Sequence, residues 1–236
     1  MSVSDRNTFC LMSWNTYKID HKTPEIFKKY IRNTHDTYAV DVFCLQEAVH
    51  HDKTTFPIDN FETVFASNIV LKNYNYGVAT FSKHPITKKT KILTTHRESV
   101  INTHKASLIT DIVINGTKIV IVNIHAINFK SARVYEYEFE KIKNLIQPEK
   151  NSHPIIIAGD FNSWNKKRVK IMKDFCHEFD FKIAFLDEDH LVKSFQKYSL
   201  DFILYRGLSL ENATALDCIK ISDHNPIIAN FEVLTD

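Results

Sequence analysis

Ile155-Ile156-Ile157-Ala158-Gly159-Asp160-Phe161-Asn162 passes in one short stretch from an unbroken apolar run to a carboxylate and an amide. Pro154 precedes the run and glycine follows it, so it is too short for a helix. Without polar alternation, it reads as a strand covered on both faces. The acid then falls where the strand stops. Open α/β sheets usually place ligands at such ends.

Working outward, similar strand-like runs recur. They are Phe9–Trp14, Val40–Gln46, Phe61–Ala66, Gly77–Ser82, Ala106–Ile114, Lys118–Ile124, Leu200–Tyr205 and Pro226–Val233. Asn115-Gly116 between two of them is a hairpin signal. Helical patterns fall between the strands. Thr23 can cap a helix with Pro24 at its first position, and Ile26, Phe27, Tyr30 and Ile31 would form its apolar face. Ser131 opens a second helix that carries Val134, Tyr137, Phe139, Ile142, Leu145 and Ile146 and ends at Pro148. Val169, Met172, Phe175, Cys176 and Phe179 suggest a third. Many strands with fewer helices predict an α/β fold: a sandwich of two central sheets with helices outside. No linker-like segment divides the chain, so 1–236 reads as a single domain.

Composition narrows the class further. The 236 residues are 44% hydrophobic and 25% charged, a globular balance. Gly 4 and Pro 6 exclude collagen-like and low-complexity chains. A net charge of +2 predicts no polyanion partner by itself, so phosphate binding would have to come from local clustering. No apolar run is long enough to span a membrane, and Met1 to Thr8 lacks a signal-peptide pattern; the expected location is cytoplasmic. Cys10, Cys44, Cys176 and Cys218 form no CxxC and read as reduced, buried thiols. The 12 histidines show no zinc spacing. GxGxxG, Walker-type and GxSxG motifs are absent, which leaves nucleotide-cofactor and serine-hydrolase chemistry without support.

Acids, amides and imidazoles recur at strand ends: Trp14-Asn15, Gln46-Glu47, Asn123-Ile124-His125, Asp160-Phe161-Asn162 and Ser222-Asp223-His224. Singly, each has a plainer reading. Asn15 could be a turn or cap residue, Glu47 could cap a following helix, and Asp160 with Asn162 could form an Asx turn. Together they suit metal-assisted attack of water on a phosphodiester. A hard cation such as Mg²⁺ takes one or two carboxylates and keeps waters, and Glu47 is the ligand chosen here. Asp160 could orient and deprotonate the water. Asn15, Asn162 and a histidinium could donate to the phosphoryl oxygens as charge builds. Asp201, a lone acid in the apolar run Leu200–Tyr205, needs a partner, and His224 is the expected one.

The order WN, QE, NxH, GDFN, LDFI, SDH resembles the endonuclease/exonuclease/phosphatase superfamily over nearly the whole chain, from Trp14 to His224. Its members include pancreatic-type deoxyribonucleases, AP endonucleases, neutral sphingomyelinases and inositol polyphosphate 5-phosphatases. His125-Ala-Ile-Asn-Phe129, Gly159–Trp164 and Tyr205-Arg-Gly-Leu208 resemble a bacterial subgroup. The resemblance implies a four-layer α/β sandwich with two central, mainly antiparallel sheets flanked by helices, and Mg²⁺-dependent phosphoester hydrolysis, with Mn²⁺ as the alternative cation. By position it implies metal contacts at Asn15, Glu47 and Asp223, phosphate contacts at Asn15 and Asn162, and catalysis by Asp160, His125 and His224. It makes Asp201 the residue that orients His224. WNTYKID and SLDFIL depart from the AP-endonuclease pattern and argue against abasic-site repair. Asn75 stands near the position of the carboxylate that backs the first histidine in deoxyribonucleases.

Lys166, Lys167, Arg168, Lys170 and Lys173 follow GDFN, with Trp164 just before them. A basic cluster with an aromatic could bind a polyanion and stack on a base; the plainer reading is a solvated helix face. Lys83, Lys88, Lys89 and Lys91 would guard a strand edge. Lys105 could reach a phosphate. The expected activity is nuclease-like phosphodiester hydrolysis by a monomer, with nucleic acid as substrate. The alternatives are a phosphoesterase for lipid headgroups or small phosphoesters, for which Ile69–Leu71 could be a membrane-facing loop, and an inactive binding module.

Overall fold

In the computed structural model, Thr8–Asn15 (β1) is apolar on both faces because both faces are covered. Phe9 and Leu11 point into a core between two sheets, while Cys10, Met12 and Trp14 point outward beneath a helix. The structure describes residues 7–51, 56–98, 102–218 and 220–234; the polar start before Asn7 lies outside them. In chain order, β1 is followed by α1 (Ile19–Lys22), α2 (Pro24–Tyr38), β2 (Val42–His51), β3 (Glu62–Leu71), β4 (Tyr74–Ser82), β5 (Ile86–Leu93), β6 (Ala106–Ile114) and β7 (Thr117–His125). Then come α3 (Ala132–Ile146), β8 (Ile155–Asp160), α4 (Lys166–Phe179), β9 (Lys182–Ile183), β10 (Ser194–Phe195), β11 (Tyr198–Ser199), β12 (Asp201–Arg206), β13 (Leu208–Ala215) and β14 (Ile227–Val233).

The strands form two mixed six-stranded sheets, ordered β13-β14-β1-β2-β4-β3 and β5-β6-β7-β8-β12-β9. β1 with β2 and β7 with β8 are the parallel pairs. The inter-sheet core joins Leu11, Val42 and Phe231 to Ile121, Ile156 and Ile203. Outside the first sheet, Phe27 and Ile31 of α2 cover Met12 and Phe43. Outside the second, Tyr135, Phe139, Met172 and Phe175 of α3 and α4 cover Val120, Val122 and Ile157. Helix, sheet, sheet and helix make the four-layer α/β sandwich expected from the sequence.

Local corrections have local causes. β5 and β13 were not among the expected strands. Both lie at sheet edges, where one flank is free and an apolar run is not required. β5 indeed carries Lys88, Lys89 and Lys91. α2 starts at Pro24 as expected, but the Thr23 side chain makes no capping bond. Ile26 is exposed, and Phe27, Ile31 and Thr34 are the buried face. In α3, Ser131 does cap, accepting from the Val134 N–H, but Tyr137 and Leu145 face outward and Tyr135 takes the buried position. Asn115 and Gly116 make the hairpin turn between β6 and β7 with positive φ, as the turn requires.

Two backbone features shape the ends of the central strands. The β2–β4 register shifts between Leu45 and Ala48, and within that bulge Glu47 has a φ of 49°. A bulge re-aims a side chain that strict alternation would direct elsewhere. At Gly159 φ is +147°, and an added Cβ would stand 1.9 Å from the Ile124 carbonyl oxygen. Only glycine lets β8 approach β7 this closely just before Asp160.

Candidate active site

Parallel pairing puts the C-terminal ends of β1 and β2 side by side, and likewise those of β7 and β8: Asn15 is opposite Gln46, and His125 opposite Asp160. Antiparallel β12 then sets Asp201 opposite Asp160. The two sheets meet at this edge. Gln46 Nε2 donates to Asn123 Oδ1 at 2.8 Å, and Asn15 Nδ2 donates to Asp160 Oδ2 at 3.1 Å. Ser222 Oγ donates to the Asn15 carbonyl at 2.9 Å, and Trp14 Nε1 to the His224 carbonyl at 2.9 Å. These bonds bring the loop before β14 to the same place.

Asp160 is buried. Its Oδ1 accepts the Asn162 N–H at 2.9 Å, the Asx turn that the sequence allowed. Its Oδ2 faces Asn15 and lies 3.6 Å from His125 Nε2. Burial and the neighbouring Asp201 push the Asp160 carboxyl up to about 6, against the pull of His224. His224 Nδ1 lies 2.7 Å from Asp201 Oδ2, the pairing expected from the sequence. Burial disfavours its cation, but Asp201 and Asp160 outweigh burial and raise it to about 9.

Glu47 does not cap a helix, because β2 runs on to His51. Its carboxylate takes Lys18 Nζ at 2.9 Å, with Lys105 Nζ at 3.9 Å and His125 Nε2 at 4.0 Å. Burial pushes the carboxyl up, but His125, Lys105 and Lys18 outweigh it and leave the group at about 2. His125 is driven well below its ordinary value by burial and by Lys105, so it is neutral at neutral pH. The two lysines keep Glu47 ionised even then. Asn75 lies opposite His50 and Val70 and accepts from Ser67 Oγ at 3.5 Å. The carboxylates facing His125 Nε2 are Glu47 and Asp160.

Asn15, Glu47, Lys105, His125, Asp160, Asn162, Asp201 and His224 thus surround one locus. Asp223 turns aside, its Oδ2 3.3 Å from Lys193 Nζ. Trp164 stands one loop further out, its Nε1 bonded to Asn128 Oδ1 at 2.9 Å. Arg168 leaves the expected basic cluster. It is wholly buried and donates to the carbonyls of Ile127, Asn162 and Lys130. Sequence reasoning missed Lys18 and Glu98. Glu98 is buried, 3.6 Å from Lys105 Nζ, and accepts the Asn128 N–H at 2.8 Å. Neither sits in an apolar run or at a strand end, so no local pattern marks them.

Two facing six-stranded sheets thus gather acids, amides and imidazoles at one edge of an α/β sandwich. The chain belongs to the Endonuclease/Exonuclease/phosphatase family, which it matches over residues 12–224. It is 36% identical over 141 residues to a UPF0294 protein of Erwinia tasmaniensis, covering 59% of this chain and 51% of that one. The chain therefore spans about half the length of the curated relatives it matches. Among solved structures, the human Nocturnin catalytic domain with bound sulfate superposes with a TM-score of 0.69 at 18% identity, over 98% of this chain and 95% of that one. A mannosyl-6-phosphatase of Bacteroides thetaiotaomicron also gives 0.69, at 13% identity, over 94% and 99%. At these identities the likeness shows the fold.

Family membership supports a hydrolase acting on phosphoesters with a divalent metal. The residues present fit such an ion. Asp160, Asp201 and His224 offer ligand atoms within 4.8 Å of one another, all buried. Glu47 adds an ionised carboxylate, and Asn15 an amide oxygen. The oxygens of Glu47, Asp160 and Asn15 suit a hard divalent ion, whereas His224, held cationic beside Asp201, is no ligand while protonated. No helix among the described residues is long and apolar enough to cross a membrane.

Proposed function

We propose that this chain is a divalent-metal-dependent phosphodiester hydrolase of nuclease-like specificity. The observation that carries the reading is the contact of Asn15 with Asp160 across the two sheets, beside the His224–Asp201 pair. It gathers a base, a cation and amide donors around one point.

Asp160, raised to about 6, is a base poised near neutrality and takes the proton of the attacking water. His224, held cationic by Asp201, donates to the phosphoryl oxygens as negative charge builds on them. Asn15 directs its amide toward Asp160 and the same oxygens. Asn162 commits one amide hydrogen to the Ala126 carbonyl, and its other N–H is the donor to phosphate. Neutral His125 donates as an imidazole and not as a cation. Lys105 sits within reach of Glu47 and neutralises substrate charge. Glu47 and Asn15 are the residues that would hold Mg²⁺ or Mn²⁺; the ion would supply Lewis acidity at the phosphoryl oxygen.

The test is conversion of supercoiled plasmid to nicked circle with Mg²⁺ and with EDTA, beside Asp160→Ala. Metal-dependent nicking that the variant loses supports the proposal; wild-type protein that never nicks overturns the nuclease reading.

A second reading, hydrolysis of a lipid headgroup, has one observation on its side. Val70 and Leu71, at the β3–β4 turn, are 66% and 59% exposed. Metal-dependent release of phosphocholine from sphingomyelin vesicles, with plasmid left intact, would favour it.

A further inference from the structure

Three loops leave the candidate site, after His125, after Asp160 and before Asp201, and they converge on Trp164. The indole Nε1 is fixed by Asn128 Oδ1, and the ring lies 4.7 Å from the Arg168 guanidinium. Arg168 also lies 4.5 Å from the Tyr135 ring, and its bonds to Ile127, Lys130 and Asn162 tie the first two loops together. The third loop is the β10–β11 hairpin. It is joined to the Asp160 loop by Ser163 Oγ donating to the Ser199 carbonyl and by the Phe161 N–H donating to the Leu200 carbonyl, both at 2.7 Å. The hairpin presents Phe195, 53% exposed, edge-on to Trp164 at 6.5 Å and 78°. Beside the indole, Lys130, Lys166 and Lys167 line an open cavity of about 400 Å³.

An indole fixed at its nitrogen and backed by a buried cation loses little freedom when a flat ligand covers it. An exposed phenyl at right angles makes a corner that a planar ring can enter. Three ammonium groups at the mouth suit a chain of phosphates. Aromatic faces beside a basic track are how unpaired nucleotides are held without regard to sequence. A base in a duplex, stacked on both sides, cannot use such a corner.

We propose that Trp164 and Phe195 form a subsite for an unpaired nucleobase next to the scissile phosphate, so that the substrate is single-stranded or frayed nucleic acid. The proposal rests on the nucleic-acid reading of the active site, and its test is kept separate from turnover. Trp14, the second of the chain's two tryptophans, is 1% exposed in the core. Trp14 also bonds the His224 carbonyl, so quenching is assigned to Trp164 only where Trp164→Phe abolishes it. The experiment titrates a short oligothymidylate into the protein in EDTA, where no metal-dependent cleavage occurs. It follows tryptophan quenching for the wild type and Trp164→Phe, and anisotropy of a labelled oligomer for Trp164→Ala, Trp164→Phe and Phe195→Ala, with circular dichroism to verify folding. The expected result is quenching in the wild type, affinity weakened roughly 10-fold or more in the two alanine variants, and most of it restored in Trp164→Phe. Wild-type affinity in a folded Trp164→Ala would overturn the subsite, as would a duplex of the same sequence bound as tightly as the single strand. A protein that binds the oligomer this way but cuts no nucleic acid with any divalent ion leaves the subsite standing and sinks the nuclease reading.

Discussion

His224 Nδ1 stands 2.7 Å from Asp201 Oδ2, and both groups are buried. The imidazole therefore carries its positive charge on a fixed partner, with its other nitrogen left to work. Removing that carboxylate takes away the largest of the interactions that keep the ring charged, with Asp160 and Asp223 contributing the rest.

Asp201→Asn is accordingly expected to lower kcat by about 10²-fold, the scale for losing one positioned charge-stabilising or acid–base group. Asp201 acts through His224, so KM should move little. Steady-state kinetics on a nicking or small phosphodiester substrate separates the two parameters. A KM increase at unchanged kcat would show that Asp201 serves binding alone.

With Lys18 and Lys105 beside it, the Glu47 carboxyl lies below the usual carboxylate range and is ionised at neutral pH. If it carries the metal, Mg²⁺ must raise the melting temperature of the wild type, because a ligand that binds only the native state stabilises it. In Glu47→Gln the shift should vanish. Thermal unfolding with and without Mg²⁺ measures this with no substrate present. An undiminished shift in the variant would move the metal to the Asp160, Asp201 and His224 group.

Arg168 satisfies three backbone carbonyls from inside the protein. Arg168→Met fills much of the volume but leaves those oxygens without donors. The expected loss is several kcal/mol, at about 1–3 kcal/mol for each buried acceptor left unsatisfied. Arg168→Lys should recover little, since one ammonium cannot reproduce the planar fork. Urea unfolding of the three proteins gives the comparison, and a change within about 0.5 kcal/mol would return Arg168 to the ordinary surface class.

All four cysteines are buried and unpaired. Burial pushes Cys44 up to about 12 and Cys10, with help from Asp41, also to about 12. Native protein should thus release almost no chromophore from an aromatic disulfide reagent at neutral pH, and all four thiols should react after denaturation. The sign of the pH effect follows. A folded pKa above the ordinary value of 9.0 means that the folded state keeps protons the unfolded chain would lose. This contribution to stability is complete below about pH 9 and falls away as pH rises toward 12. Denaturant midpoints at rising alkaline pH test it, and a midpoint that increases there would contradict the assignment.

The sequence by itself determined the layers and the chemistry at the strand ends. Unbroken runs such as Ile155–Ala158 and Ile119–Ile124 can only be strands covered on both sides, so two sheets with helices outside follow from local pattern. Asp160 and Glu47 were legible because each ends such a run, and His224 through its place in the Ser222-Asp223-His224 motif. Asp201 was legible because an acid within a buried strand demands a partner. Edge strands β5 and β13 left no such mark, since an edge tolerates lysine and asparagine on its open side. The tertiary structure alone decided which groups meet. Register placed Asp201 opposite Asp160, and a bulge turned Glu47 toward Lys18, Lys105 and His125. Helix α4 carried Arg168 inward while Lys166 and Lys167 stayed outside. A local pattern records which way a residue faces within its own element. Partners far away in the chain are set by pairing and packing between elements, which no short stretch of sequence contains.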